Sequence, residues 1–200
     1  MMAERGIDVY PSALYRWVQA YAPEIDKRSC PYFKNTGTSW RVDETWIKIK
    51  GLWKYLYRAI DKEGQTLDFI LSAKRNKKAA KRFFMKILCQ AHTRCPRVIG
   101  VDKNSAYPPA LAEIKKEKQI SSKSKLRQVR YLNNRLEADH RFVKRRIHHK
   151  QWFQTFKTAA KTLAGYEAIN MIRKGQVRYV MKNDIFAQNK FIESLFRMAA

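Results

Sequence analysis

The sequence predicts a mixed α/β fold, an antiparallel meander of three strands followed by alternating helices and strands. Three segments rich in β-branched and aromatic residues follow one another over residues 40–72. Short turns at Lys50-Gly51 and at residues 62–64 separate them, which is typical of hairpins. From there to about residue 150, apolar residues at helical spacing alternate with short apolar runs. This alternation indicates a sheet covered by helices.

The individual elements follow from the same patterns. Strands are predicted at residues 40–50, 52–61 and 66–72, then a helix at 77–89, a strand at 97–101, a helix at 106–116, a strand at 129–132 and a helix at 133–147. A long Ala-rich helix at 152–173 and an amphipathic segment at 185–198 follow. The order of three strands, helix, strand, helix, strand, helix is that of the ribonuclease H-like fold.

The first forty residues have a different pattern. Residues 6–22 predict a turn and a short helix, with Pro11 suited to a first helical position. Pro23, Pro31 and Gly37 then predict a linker over residues 23–39, because Pro and Gly interrupt regular structure.

Charge is the most unusual property of the composition. The chain has 42 Lys and Arg against 17 Asp and Glu, a formal net charge of +25. Such a balance favours a polyanionic partner, whose released counterions supply binding free energy. No acid occurs from Phe69 to Val101, although Lys and Arg crowd the first half of that stretch. A solvated helix face is the alternative, but solvated helices normally alternate both signs.

Several classes of protein are disfavoured. The three Cys include no CxxC pair, which argues against a disulfide framework or a zinc ribbon. Cys89, His92 and Cys95 lie close together but lack a fourth ligand at matching spacing. No apolar run is long enough to span a bilayer, and no signal-peptide segment is present. We therefore expect a cytoplasmic protein without a membrane partner.

The acids that interrupt apolar elements are the candidates for chemistry. Asp43 lies within the first strand, on a face shared with Thr45, Ile47 and Ile49. A half-buried carboxylate there is costly unless it is paired or bound to metal. Glu44 points to the opposite face and is the weaker candidate.

Two further acids complete a set. Asp102 directly follows the apolar run of the fourth strand, and Glu137 lies in the helix predicted at 133–147. Alone, Asp43 could be a ladder acid, Asp102 a helix N-cap and Glu137 a partner of Arg141. Together they lie on elements of one predicted α/β fold, where they could form a single site for divalent cations, which prefer oxygen ligands. Phosphodiester chemistry needs two such ions about 3.5–4 Å apart.

Several sequence blocks carry a family resemblance. The blocks are VDETWIKI at 42–49, GLWKYLYRAID at 51–61, DKNSAY at 102–107, RYLNN at 130–134, EADHRFVKR at 137–145, and the tail at 165–176. In this order they resemble a family of small bacterial and archaeal transposases whose elements form cointegrates. The resemblance covers nearly the whole chain, and several ordered blocks are more specific than any single one.

The resemblance implies a DDE transposase with the ribonuclease H-like fold of retroviral integrases. It implies divalent-metal-dependent cleavage and transfer of DNA strands during transposition of an insertion sequence. The family's catalytic and metal-binding triad corresponds to Asp43, Asp102 and Glu137. Two Mg²⁺ ions are expected there, with Mn²⁺ able to substitute. Lys144 matches a basic residue that the family places near Glu137, against DNA phosphate.

The expected partner is DNA, both the element's ends and the target. Candidate DNA contacts are Lys144, Arg141, Lys103, Lys81, Arg82, Tyr15 and Arg16. A homodimer or higher assembly on DNA, associated with the nucleoid, is expected with them.

The resemblance also predicts the domain organisation. Family members begin with a full helix-turn-helix, whereas this chain resembles only its turn and recognition helix. We expect a remnant of that DNA-binding domain at 1–22, a linker at 23–39, a catalytic core at 40–150 and a helical extension at 151–200. An N-terminally shortened copy with impaired recognition of the element's ends is the expectation.

Two other functions are compatible with part of this pattern. A non-catalytic, transposase-derived DNA-binding protein or repressor would fit the charge and the incomplete helix-turn-helix. A ribosome-associated basic protein would explain the charge but not the acids within strands.

Overall fold

A computed structural model of the chain describes residue 6, residues 8–129, residue 141 and residues 153–196. The described strands are β1 (Ser39–Ile49), β2 (Leu52–Asp61), β3 (Thr66–Ser72), β4 (Val98–Val101) and β5 (Lys125–Gln128). The described helices are α1 (Pro11–Ser29), α2 (Lys77–Leu88), α3 (Tyr107–Lys116), α4 (Phe156–Arg173) and α5 (Ile185–Ser194), with a 3-10 turn at Cys30–Tyr32.

The five strands form one mixed sheet in the order β3-β2-β1-β4-β5. The first three are antiparallel, whereas β4 and β5 run parallel to β1. Lys50 and Gly51, both with positive φ, close the β1–β2 hairpin. Two-residue turns with positive φ at both positions match the twist of the strands they join.

Helices cover both faces of the sheet, and the alternation of side chains along β1 separates two apolar clusters. Trp40 and Val42 are buried with α2 and α3 on one face. Ile47 and Ile49 are buried with α4 on the other. A buried ion pair also joins β2 to α4, with Arg58 Nε 2.6 Å from a Glu167 oxygen.

The predicted strands over residues 40–72 and the predicted α2, β4 and α3 are confirmed to within one residue at their ends. The strand that follows β4 is β5, which ends at Gln128 and so lies earlier than the predicted strand at 129–132, of which only Val129 is described and lies outside β5. β5 lies at the edge of the sheet and is mostly exposed, so its sequence KLRQ lacks the apolar run that marks a covered strand.

The N-terminal helix is longer than predicted. The expected linker does not begin at Pro23, because α1 continues through that residue to Ser29. Proline within a helix removes one backbone hydrogen bond, and packing against α4 offsets that loss here. Ala22 contacts α4 at Gly165, and Gln19 Nε2 donates to Thr162 Oγ1 at 2.8 Å.

Some of the predicted elements lie partly or wholly outside the described residues. The helix at 133–147, except Arg141, and residues 130–132 lie outside the described residues. The helix predicted at 152–173 ends at Arg173 as expected but begins only at Phe156, because Thr155 is its N-cap and accepts from the Thr158 N–H. Within the described ranges, no helix has the length and apolar character needed to cross a membrane.

Candidate active site

The parallel register of β1 and β4 brings two of the predicted catalytic acids together. Arg41 lies opposite Gly100, so Asp43 and Asp102, each two residues further on, lie side by side where β4 ends. One oxygen each of Asp43, Glu44 and Asp102 lies within 4.8 Å of the others. All three residues are half-buried. We call these residues the carboxylate cluster.

Glu44 is the most heavily hydrogen-bonded member of the carboxylate cluster. The Arg75 guanidinium and the Tyr107 hydroxyl both donate to its oxygens. Asn104 Nδ2 donates a third bond, at 2.8 Å. These donors come from the ends of β3 and β4 and from the start of α3, so Glu44 connects three parts of the fold.

The loop after β4 holds Asp102 in place. The backbone N–H of Asn104 donates to Asp102 Oδ1 at 3.1 Å, and Arg75 Nη2 lies 3.4 Å from Oδ2. The Asn104 side chain in turn accepts from the N–H of Ala106 at 2.9 Å. On β1, the N–H of Glu44 donates to Asp43 Oδ1 at 2.9 Å.

The acids change the ionisation of the groups around them. Burial, followed by the charge of Glu44, raises the pKa of Tyr107 well above its usual value. The same two causes raise the pKa of Tyr57 to about 12. Partial burial opposes the charged form of Arg75, but Glu44 and Asp102 outweigh it and raise its pKa. Tyr107 therefore remains a neutral donor and Arg75 a cation at physiological pH.

The donor set of the carboxylate cluster suits a hard divalent cation. Carboxylate oxygens are the ligands that Mg²⁺ typically takes from proteins, and about one or two carboxylates for each ion suffice. Arg75 already places a positive charge against Glu44 and Asp102. Arg75 therefore already balances part of the negative charge of the carboxylate cluster.

The cluster differs in one respect from the sequence prediction. Glu44 was ranked below Asp43 because it points to the other face of β1. Its contacts with Asn104 and Tyr107 confirm that orientation. Its carboxylate nevertheless lies close to those of Asp43 and Asp102. β4 ends at Val101, so beyond that residue only a loop, and no strand, separates the two faces of the sheet.

The remaining predicted site residues are not all described. Glu137 and Lys144 lie outside the described residues. Side chains that are exposed, as expected of DNA contacts, are those of Tyr15, Arg16, Arg82, Lys103 and Arg141. Tyr15 and Arg16 belong to α1 and not to the elements that form the carboxylate cluster.

Lys81 differs from these exposed residues. Its Nζ lies 2.5 Å from Glu113 and 2.5 Å from Glu117, both on or next to α3. Lys77 also pairs with Glu113, at 2.5 Å, and Lys86 pairs with Asp68 on β3, at 2.7 Å. The stretch from Phe69 to Val101 contains no acid of its own, but acids of other elements pair with these lysines.

Sequence reasoning gave no role to three residues of the site. Asn104 and Tyr107 belong to the DKNSAY block, so their spacing after Asp102 was an available signal. Arg75 follows the end of β3 by three residues and lies in no recognised block. Only the fold brings its guanidinium to Glu44 and Asp102.

Comparisons with known proteins identify the family of the chain. A family model described as a DDE domain, of the IS240 transposase type, matches residues 37–176. The chain belongs to this family of DDE insertion-sequence transposases and is a DNA transposase, a polynucleotidyl transferase.

Relatives in Staphylococcus aureus are similar over most of their length. The chain is 38% identical over 174 residues to the transposase for insertion sequence-like element IS431mec of strain Mu50, covering 87% of this chain and 75% of the relative. It is 39% identical over 170 residues to the transposase for insertion sequence element IS257 in transposon Tn4003, covering 85% and 73%.

A solved structure supports the fold. The catalytic core domain of BIV integrase aligns with 78% of this chain and 98% of its own, with a TM-score of 0.50 and 13% identity. The predicted ribonuclease H-like fold is confirmed.

Proposed function

We propose that this transposase cleaves and joins DNA strands in a reaction that requires divalent metal. The observation that carries the proposal is the parallel register that sets Asp43 beside Asp102 at the end of β4. Glu137 is proposed as the third catalytic carboxylate from the family resemblance alone, since it lies outside the described residues.

The metal site is proposed at these acids. Asp43, Asp102 and Glu137 would hold two Mg²⁺ ions, and Mn²⁺ would substitute. Bound metal would supply Lewis-acid stabilisation of the phosphoryl oxygens and lower the pKa of an attacking water. Arg75 would balance the charge of Glu44 and Asp102, a role that its pairing with both acids supports.

The proposed substrates are the ends of the element and a target DNA. The net charge of +25 supports binding to a polyanion. Lys103 is exposed and follows Asp102 directly, so it is placed to contact a phosphate beside the reacting phosphodiester. A homodimer or higher assembly on DNA, associated with the nucleoid, belongs to the same proposal.

A nicking assay tests the proposal. The full chain would be incubated with a plasmid carrying the element's two ends, with Mg²⁺ or with EDTA. We expect 3′-hydroxyl nicks and joined strands only with Mg²⁺, and neither product from Asp43→Asn or Glu137→Gln. Asp8→Asn, at an exposed acid on no described strand or helix, is the matched control and should react as the parent does.

The alternative function predicts another result. A non-catalytic DNA-binding protein would bind the same plasmid yet leave it intact under both conditions. Binding without metal-dependent nicking would contradict the proposed activity.

A further inference from the structure

An exposed group of aromatic side chains lies between the carboxylate cluster and the tip of the β1–β2 hairpin. In the β1–β2 register, Trp46 lies opposite Tyr55 and Lys48 opposite Trp53. The ring centroids of Trp46 and Tyr55 are 4.5 Å apart, and those of Trp46 and Trp53 are 6.4 Å apart, edge to face. Lys48 Nζ lies 4.8 Å from the ring centroid of Trp53. We call these four residues the aromatic platform.

The exposure of the platform is its unusual property. Trp46 is 48% exposed and Trp53 is 53% exposed. Cross-strand aromatic pairs stabilise a hairpin, which accounts for the contacts between the rings. They do not account for two indoles left half in water, where much of the free energy of burying them is not gained. Exposed apolar groups of this kind typically mark binding sites.

The platform lies next to the Glu44 member of the carboxylate cluster, on the face of the sheet to which Glu44 points. Asp43 points to the other face, but one oxygen each of Asp43 and Asp102 lies within 4.8 Å of a Glu44 oxygen. Trp46 follows Glu44 by two residues on β1, so both side chains point to one face. Two residues of strand span about 7 Å, which is about twice the 3.4 Å rise between stacked nucleotides. A nucleic-acid strand at the acids would therefore reach Trp46 within one or two nucleotides.

Cations flank the platform, and they favour one kind of ligand. Lys48 lies within it, and Tyr55 pairs in register with Ser72 at the end of β3. The exposed Lys74 follows that strand end by two residues, whereas the neighbouring Arg75 is already paired with Glu44 and Asp102. Aromatic rings interleaved with cations bind single-stranded nucleic acid, where bases stack on rings and phosphates pair with cations.

We propose that the aromatic platform stacks unpaired bases of a DNA strand whose phosphodiester lies at the carboxylate cluster. A base stacks on the Trp46 ring, Trp53 packs edge to face against that ring, and Lys48 contacts a neighbouring phosphate. Stacking accepts any base, so the platform adds affinity for unpaired nucleotides without selecting a sequence. The position of the phosphodiester rests on the proposed function, whereas the stacking itself needs neither metal nor cleavage.

Binding measurements in EDTA test the platform separately from the chemistry. Fluorescence anisotropy would compare a blunt duplex, the same duplex with a short single-stranded overhang, and that overhang built from abasic nucleotides. The two overhangs carry the same phosphates and differ only in their bases. We expect the full chain to bind the base-bearing overhang about tenfold or more tightly than the abasic one.

Substitutions test whether the preference for base-bearing overhangs depends on the aromatic platform. Trp46→Leu and Trp53→Leu should abolish the preference for bases and leave affinity for the blunt duplex within about twofold, since phosphate contacts remain. Trp46→Phe keeps a ring and should retain most of the preference. Trp17→Leu is the matched control, because Trp17 is 45% exposed but lies on α1. It should behave as the parent chain.

Three outcomes would overturn the proposal. One is equal affinity of the parent chain for base-bearing and abasic overhangs. Another is a folded Trp46→Leu or Trp53→Leu variant that keeps the full preference. The third is a loss of self-association in these variants with the base preference intact, which would assign the platform to a protein contact. If any of these results were obtained while the chain still nicked DNA in a metal-dependent reaction, the role of the platform would be refuted. The proposed function would then still stand.

Discussion

The Glu44 carboxylate holds neighbouring parts of the site together and is largely unavailable to bind a metal ion. Its carboxylate accepts from Arg75, Asn104 and Tyr107, so most of its lone pairs are already used. Asp102 accepts only from the N–H of Asn104 and more distantly from Arg75 among the described residues. This difference in partners separates a residue that positions the site from one available to a cation.

How far the site could be predicted depends on where each partner comes from. Asp43 and Asp102 interrupt or end apolar strands, and that local pattern is visible in the sequence. The role of Glu44 depends on Arg75 and Tyr107, which lie 31 and 63 residues away along the chain. Contacts of this separation leave no periodic signal, so only the folded structure reveals them.

Asp26 is a partly buried acid whose ionisation affects stability. It lies on α1 against a cavity that is also lined by Asp68, His92 and Glu167. Burial is the main cause that raises its pKa to about 6, and the charge of Asp68 adds to it. Because the folded pKa is above the unfolded one, ionised Asp26 destabilises the fold above about pH 6. That cost disappears as the pH falls from about 6 toward the unfolded pKa.

Asp26→Asn should therefore stabilise the protein in a pH-dependent way. At pH 7.5 we expect its free energy of unfolding to exceed the parent's by up to about 3 kcal/mol, and near pH 4 the two should converge. Urea denaturation at both pH values measures the difference. The exposed Asp8→Asn is the control and should show no such trend. A constant difference across this range would contradict burial of the Asp26 carboxyl.

At the level of elements, α1 is held on α4 by a close helix–helix contact. A Cβ added to Gly165 would lie 2.5 Å from the Cβ of Ala22. Such a distance forces the two helices apart, so Gly165 is required by packing and not by backbone conformation. Beside the contact, Leu14, Trp17, Val18 and Tyr21 of α1 line a groove with α4.

Gly165→Ala should separate α1 from α4. Alanine is the better helix former by about 1 kcal/mol, but overpacking typically costs about 1–3 kcal/mol. We expect a net loss of stability and faster proteolysis of α1 in the variant. The double variant Ala22→Gly, Gly165→Ala moves the methyl group to the other helix and should recover much of the contact. If Gly165→Ala alone is as stable and resistant as the parent, α1 is not docked as described.

β5 and the C-terminal end of α1 lie where the sequence did not predict them, and the two cases share a physical cause. β5 is an edge strand whose residues are largely exposed, so the apolar criterion pointed to later residues. Pro23 indicated the end of a helix, but Ala22 and Gln19 anchor α1 on α4 and the helix continues. In both cases tertiary contacts outweigh a local preference. The covered strands β1 to β4 carry clear local signals, and their predictions are confirmed.

The charge of the whole molecule is only partly available to DNA. Lys77, Lys81 and Lys86 are engaged by acids of α3 and β3 or their flanking residues. Arg82 is exposed and makes no ion pair within the described ranges. Neighbouring cations of α2 should therefore contribute very differently to DNA binding, although their sequence context is the same.

The salt dependence of DNA binding distinguishes Arg82 from Lys81. Each phosphate contact contributes about 0.9 to the slope of log affinity against log salt concentration. Arg82→Gln should reduce the slope by about that amount, equally for any DNA sequence. Lys81→Gln is the matched comparison and should leave the slope nearly unchanged, because Glu113 and Glu117 already neutralise Lys81. Equal effects of the two substitutions would contradict this assignment.

The central claim is that Asp102 serves the chemistry while Glu44 serves the architecture of the site. DNA cleavage in Mg²⁺, DNA binding and thermal stability, measured side by side on Asp102→Asn and Glu44→Gln, test it most directly. Asp102→Asn should abolish cleavage and strand joining, yet bind DNA as well as or better than the parent, because a negative charge near phosphate is removed. Glu44→Gln should lose about 1.5–3 kcal/mol of stability but retain cleavage. Cleavage by Asp102→Asn, or loss of its DNA binding together with its activity, would contradict the account.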